Sequence, residues 1–97
     1  MQVEVRTDVK PATLILRGVS TSGEAGAIRS KIDELLHEGY REFALDLEGL
    51  RSLDSEGLGE IVRIYVTVRK AGGTVKLLNL NKRINDLLSI AKLRDWF

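Results

Sequence analysis

The chain has 97 residues, of which 43% are hydrophobic and 30% charged, and its formal net charge is +1. These values fit one globular domain over residues 1–97 and exclude a disordered chain or one drawn to nucleic acid by overall charge. Cysteine is absent, which excludes disulfides, thiol catalysis and thiolate metal sites and is compatible with a reducing compartment. No apolar run reaches the roughly 18–20 residues of a membrane span, and the N-terminus lacks a secretion signal's apolar core. We therefore expect a cytoplasmic protein with no membrane insertion.

Two strands are predicted at the start of the chain. Residues 2–7 alternate apolar and polar side chains, and residues 12–17 form a more apolar run. Pro11 fixes its own backbone angle and marks a turn between them. The short connection predicts an antiparallel hairpin.

A loop and an amphipathic helix follow. The loop runs from Gly18 to Gly23, and three of its hydroxyl residues are suited to cap a helix: Ser20, Thr21 and Ser22. From Glu24 to Glu38, apolar residues recur at helical spacing. Gly39 stands where a left-handed residue usually ends a helix.

The middle of the chain predicts a buried strand and a second helix. Phe43–Leu47 is a short apolar run, and residues 48–53 form a turn-rich connection. The helix runs from Ser55 to Lys70 and is predicted to be either more buried than the first or apolar toward a partner. The apolar residues on its expected face are Leu58, Ile61, Val62, Tyr65 and Val68, with Ile64 and Val66 beside them.

The last third predicts a strand and a third helix. Gly72 and Gly73 stop the second helix, and residues 74–78 form the next strand. Asn81 is suited to cap the helix predicted over residues 82–91. The remaining apolar residues are expected to form a closing turn packed on the domain, with Trp96 in the core: Leu93, Trp96 and Phe97.

The predicted order is β-β-α-β-α-β-α. Helical crossovers require parallel pairing of the later strands, whereas the opening hairpin is antiparallel. The sequence therefore predicts an α/β domain with a mixed four- to five-stranded sheet covered by three to four helices.

One stretch of the sequence is predicted to place a serine hydroxyl at an edge of the sheet where functional sites form. A strand ending near Leu47 that turns into a helix at Ser55 puts the first helical residues at the carboxyl edge of the sheet. Open α/β folds place their sites at that edge. Ser55 is therefore expected to be exposed beside the positive end of a helix.

Residues 54–59, DSEGLG, resemble the D-S-[S/T]-G-L-G signature of STAS domains, specifically the small bacterial anti-sigma-factor antagonists. The resemblance covers nearly the whole chain. Residues 67–73 resemble the family's K-x-G-G helix end, residues 74–80 its following strand, and residues 83–97 its closing helix.

This resemblance implies a non-enzymatic binding module with no cofactor and no metal. In the family, the serine after the aspartate is phosphorylated, and that position is Ser55. When unphosphorylated, the chain would bind an anti-sigma factor that is also a serine kinase; phosphorylation would switch it off and a serine phosphatase would restore it. The implied partner-binding residues are Thr21, Ser22, Asp54, Ser55, Glu56, Gly57, Leu58 and Gly59.

The chain departs from the family pattern at two places. Glu56 replaces the second Ser/Thr of the signature, and residues 18–21 lack the acidic residue that the family usually carries after its second strand. Glu56 has two readings: an acid that stabilises the first helical turn, or a permanent charge beside the phosphorylation site. An unswitched STAS scaffold, as a subunit of a signalling complex or a lipid-transport ATPase, is the alternative function.

The other candidate residues have structural readings. Ser55 and Asp54 could each cap the helix, and Asp54 could also contact the kinase or its nucleotide. Gly57 and Gly59 are costly in a helix, which indicates close approach of a strand or a partner backbone. His37 has no second ligand at metal spacing, and no nucleophile–base pair or carboxylate dyad is visible.

Overall fold

A four-stranded sheet and three helices make up the part of the chain that the computed structural model describes, which is residues 2–18, 25–93 and 96. The elements in chain order are β1 (Gln2–Arg6), β2 (Ala12–Gly18), α1 (Ala25–His37), β3 (Glu42–Leu50), α2 (Ser55–Lys70), β4 (Thr74–Leu78) and α3 (Lys82–Ile90). The spatial order of the strands is β1-β2-β3-β4. β1 is antiparallel to β2, and the other pairs are parallel. The predicted α/β class, the mixed sheet and the opening hairpin are confirmed.

The core lies between one face of the sheet and the helices. Alternate residues of β2 are buried, because successive side chains of a strand point to opposite faces, whereas three successive residues of β3, Phe43 to Leu45, are buried. Leu14 of β2 pairs with Leu45 of β3 in the parallel register, so their side chains share that face. Each fully buried side chain of this size contributes about 1.5–3 kcal/mol. The fully buried large side chains are Phe43, Leu14, Leu16, Ile28, Ile32, Leu45, Leu47, Leu50, Ile61, Ile64, Ile84 and Leu88.

Glycines end the first two helices for identifiable reasons. Gly39 has a φ of +103°, so the predicted left-handed position after α1 is confirmed. Gly73 lies against the backbone carbonyl of Arg41, where a Cβ atom would overlap. Thr74 donates its amide to that same carbonyl at 2.9 Å. The chain after α2 therefore starts β4 directly beside β3.

β3 is longer than the sequence indicates. The predicted strand ends at Leu47, but pairing with β2 continues through Gly49 and Leu50 after a register shift between Ile15 and Arg17. Residues 48–50 resemble a turn by composition, yet the backbone hydrogen bonds to β2 keep them extended. The connection to α2 is consequently short, covering residues 51–54.

The prediction that Trp96 lies in the core is wrong. Its exposed fraction is 41%. The indole packs on the outside of α2, where its ring centroid is 5.0 Å from that of Tyr65 at an interplanar angle of 36°. Leu93 is buried as expected, whereas Phe97 lies outside the described residues. None of the three described helices has both the length and the apolar character that crossing a membrane requires.

Candidate functional site

The start of α2 is held in place by buried residues on both sides of the connection between β3 and α2. Leu50 ends β3 and is buried, and Leu53 is buried two residues before the helix begins at Ser55. Arg51 donates its amide to the carbonyl of Gly18 at 3.1 Å. The connection therefore leaves the sheet beside the end of β2, and Ser55 lies at the carboxyl edge as predicted.

Asp54 caps α2. Its backbone is extended, its carboxylate Oδ1 accepts a hydrogen bond from the Gly57 amide at 2.8 Å, and its carbonyl accepts from the Leu58 amide at 2.9 Å. An aspartate in this position satisfies a helix amide that has no partner within the helix. The structural reading of Asp54 as the N-cap is confirmed.

Ser55 is the first residue of α2 and is exposed. Since Asp54 supplies the cap, Ser55 is not the capping residue. No hydrogen bond joins the Ser55 hydroxyl to the described part of the chain. The hydroxyl is therefore accessible to another protein.

Glu56 adds a carboxylate next to this hydroxyl. It is exposed and is the acidic residue of the first turn of α2. There it interacts favourably with the positive end of the helix dipole, by about 0.3–1 kcal/mol. Together with Asp54, it places two carboxylates beside Ser55 before any modification.

Asn81, at the start of α3, also holds the connection between β3 and α2 in place. It is the N-cap of α3, as predicted, and its side-chain oxygen accepts from the Ile84 amide at 2.8 Å. Its side-chain nitrogen also donates to the carbonyls of Leu50 at 3.1 Å and Arg51 at 2.9 Å. One side chain therefore joins the start of α3 to the segment that leads into Ser55.

The two glycines of the signature have different surroundings. Gly57 is buried, as the third residue of α2. Gly59 is half-buried, and a Cβ atom added there would contact only the Nη1 atom of Arg63, at 3.9 Å. The expected close approach of a strand is therefore not found at Gly59.

The outer face of α2, which we define as Ser55, Leu58, Gly59, Val62, Tyr65 and Val66, extends from the site along the helix. The buried side of α2 consists instead of Gly57, Glu60, Ile61, Ile64 and Val68. Of the apolar residues predicted for this helix, Ile61, Ile64 and Val68 are fully buried, and Leu58 and Val62 pack partly buried against the core. α2 buries more of its residues than α1 does, which is the first of the two predicted possibilities, while Val66 remains 40% exposed.

Glu60 is the residue that sequence reasoning missed. Its side chain is only 8% exposed, with one carboxylate oxygen 2.7 Å from Nη1 of Arg63 and the other 3.6 Å from Nε of Arg29 on α1. The second oxygen has no hydrogen-bond partner in the described part of the chain. The signal was its spacing from Gly57 and Ile64, which places it on the buried side of the helix.

Thr21 and Ser22, predicted to bind the partner, lie outside the described residues, as does Ser20. The strand before them ends at Gly18, beside Arg51. His37 is exposed in the last turn of α1. Among the residues that the structure describes, no group of three or more acidic or histidine side chains is placed to hold a metal ion.

Comparison with known proteins gives a consistent result. The family model of the STAS domain matches residues 1–97. The anti-sigma-B factor antagonist of Bacillus subtilis strain 168 is 30% identical over 95 residues, which cover 98% of this chain and 86% of that protein. The TM1081 homolog of Thermotoga neapolitana is 41% identical over 61 residues, which cover 63% of this chain and only 54%, about half, of that relative's length.

Solved structures of similar fold include SpoIIAA in two forms. The unphosphorylated form has a TM-score of 0.84 at 18% identity, with 98% of this chain and 84% of that chain covered. The phosphorylated form, from Bacillus, has a TM-score of 0.75 at 20% identity, with 98% and 87% covered. At these identities the likeness concerns the fold.

Proposed function

This chain belongs to the STAS domain family, and from that premise we propose that it is an anti-sigma-factor antagonist switched off by phosphorylation at Ser55. In the unphosphorylated state it binds an anti-sigma factor that is also a serine kinase. It is a binding module without catalytic activity, and the ATP belongs to the kinase. A serine phosphatase reverses the modification, and the exchange takes place in the cytoplasm, where sigma factors act.

The observation that carries this proposal is the position of Ser55. Its hydroxyl is exposed at the first residue of a capped helix, and its neighbour Asp54 does the capping. A kinase can therefore take the hydroxyl without removing a hydrogen bond that holds the helix. The name of the Bacillus subtilis relative supports the same assignment.

Phosphorylation of Ser55 would weaken binding of the partner protein. It adds about 1.5–2 negative charges and three acceptor oxygens. The charge arrives at one end of the apolar outer face of α2 and next to Glu56. An apolar partner surface on this face would have to desolvate the phosphate, and an acidic one would be repelled by it, so both would bind less well.

The test uses purified tagged protein as bait in a lysate of the source organism. Wild type and Ser55→Ala are expected to recover a kinase-type ATPase, and Ser55→Asp is expected to lose it. Ser89→Asp places the same charge on the exposed side of α3 and serves as the matched control, which should bind like wild type. Incubating the recovered kinase with ATP should add phosphate to wild type and none to Ser55→Ala.

Glu56 favours a second candidate, an unswitched STAS subunit of a larger assembly. A permanent carboxylate stands where the family signature has a second Ser/Thr. In that case all four baits recover the same partner, and Ser55 carries no phosphate in cells. This result would contradict the switch proposal and leave the family assignment intact.

A further inference from the structure

We propose that the outer face of α2 also binds a second copy of this chain, with the two α2 helices antiparallel about a two-fold axis. This inference concerns the chain alone and does not depend on the anti-sigma factor. It follows from the shape, the charges and the glycine of this face.

The face is apolar along its centre. With about 3.6 residues per turn, Ser55, Gly59, Val62 and Val66 lie on one line, opposite the buried side of the helix. Val66 is 40% exposed, and Trp96, at 41%, extends the apolar surface beside Tyr65. Gly59 is half-buried and Val62 packs half-buried against the core, so among the described residues the exposed parts of this line are Ser55 at its start and Val66 further along. An exposed apolar residue in such a line can mark an interaction site.

Gly59 allows a second helix to come close. Glycine is a poor helix former, yet no neighbour in the described ranges requires a small residue at this position, because an added Cβ would contact only the end of the Arg63 side chain. Small residues at a helix surface let two backbones approach each other. In an antiparallel pair centred near Val62, Gly59 of one copy faces Val66 of the other.

The charges at the two ends of α2 favour the antiparallel arrangement. Glu56 and Lys70 are about 21 Å apart along the helix and on the same side of it. Neither has an ion-pair partner within the described chain. Two antiparallel copies bring Glu56 of each copy to Lys70 of the other, whereas a parallel pair would juxtapose like charges. Arg63, midway between them, meets its own copy across the axis, and Glu60, 2.7 Å away, offsets this like charge in each copy.

The size of the face sets the expected affinity. The 16 residues of α2 span about 24 Å, so two copies bury an area at the small end of specific interfaces. We therefore expect a reversible dimer with a dissociation constant of about 10–100 µM. Ser55 is covered in this dimer, so that only the monomer presents its hydroxyl.

The experiment is sedimentation velocity on the purified chain from about 1 µM to about 1 mM, a range that brackets the expected dissociation constant. Wild type should shift from monomer to dimer across it. The sole tryptophan, Trp96, gives a second readout, because its fluorescence should change over the same range. Circular dichroism confirms that each variant is folded.

Three variants locate the interface. Val66→Glu should abolish the dimer, and Lys70→Glu should weaken it at least tenfold. The double variant Glu56→Lys, Lys70→Glu should restore it, because the reversed charges meet again across the two-fold axis. Lys76→Glu, an exposed lysine of β4, is the matched control and should dimerise like wild type.

Three results would overturn the proposal: a wild type that stays monomeric throughout, a dimer that survives Val66→Glu, or a double variant no better than Lys70→Glu. In the first case the face serves other proteins only. Because the partner kinase is absent from this experiment, each result leaves the proposed antagonist function untouched.

Discussion

Asn81 allows the coupling between α3 and the Ser55 site to be measured. Replacing it by alanine removes three hydrogen bonds: the cap on the Ile84 amide and the donations to the Leu50 and Arg51 carbonyls. Loss of an N-cap costs about 1 kcal/mol. A lost side-chain hydrogen bond costs about 0.5–1.5 kcal/mol, although water can replace the donor at the exposed Arg51 carbonyl. We expect the free energy of unfolding to fall by about 2 kcal/mol.

A second variant separates the two roles of this side chain. Asn81→Asp keeps the oxygen that accepts from Ile84 but has no N–H to donate, so it should lose about half as much stability as the alanine variant. Urea unfolding followed by circular dichroism gives both values. Hydrogen exchange of residues 51–58 should become faster in both variants, because the clamp on the connection is gone.

Two results would refute this reasoning. If Asn81→Asp unfolds at the same urea concentration as wild type, the donations to the two carbonyls contribute nothing. If Asn81→Ala loses less than about 0.5 kcal/mol, the lower limit for a helix cap, the cap itself is energetically unimportant.

Three further predictions concern charged groups elsewhere in the fold. Asp54→Ala should lower the free energy of unfolding by about 1 kcal/mol, measured by urea unfolding, because the Gly57 amide loses its acceptor. Glu60→Ala should cost about 1–3 kcal/mol in the same assay, since two arginines lose their partner, whereas the similarly sized Glu60→Leu should cost less. The hydrogen bond from Arg6 holds the pKa of the Asp8 carboxyl below its usual range. The stabilisation that this hydrogen bond gives is therefore present above the pKa of unfolded Asp8 and is lost as the pH falls through the lowered pKa. NMR titration of Asp8 should show the lowered pKa, and Asp8→Asn is the control.

Local patterns in the sequence predicted most of the fold. The alternation in β1, the capping residues Asp54 and Asn81 and the glycine after α1 each act over a few residues, and the structure confirms them. β3 shows where such patterns are insufficient. Its last residues have the composition of a turn, but pairing with β2, which is distant in sequence, keeps them extended.

The features that sequence did not predict depend on contacts between distant elements. Glu60 is charged, and its hydropathy gives no reason to expect it inside, yet arginines of α1 and α2 make its burial possible. Trp96 is apolar and was expected inside, yet Tyr65 offers it a ring on the surface. The donations of Asn81 join residues about thirty positions apart. Hydropathy and spacing describe one element at a time and contain none of these contacts.

The geometry at the start of α2 also indicates where a charge on Ser55 would act. Asp54 already accepts from the Gly57 and Leu58 amides, while the amides of Ser55 and Glu56 donate to no described residue. A phosphate on Ser55 would find these two amides and the positive end of the helix dipole, which offset its repulsion from the Asp54 and Glu56 carboxylates. The fold should therefore tolerate the modification with little change in stability. The outer face of α2 has no such compensation, so the new charge acts on whatever docks there, whether an anti-sigma factor or a second copy of the chain.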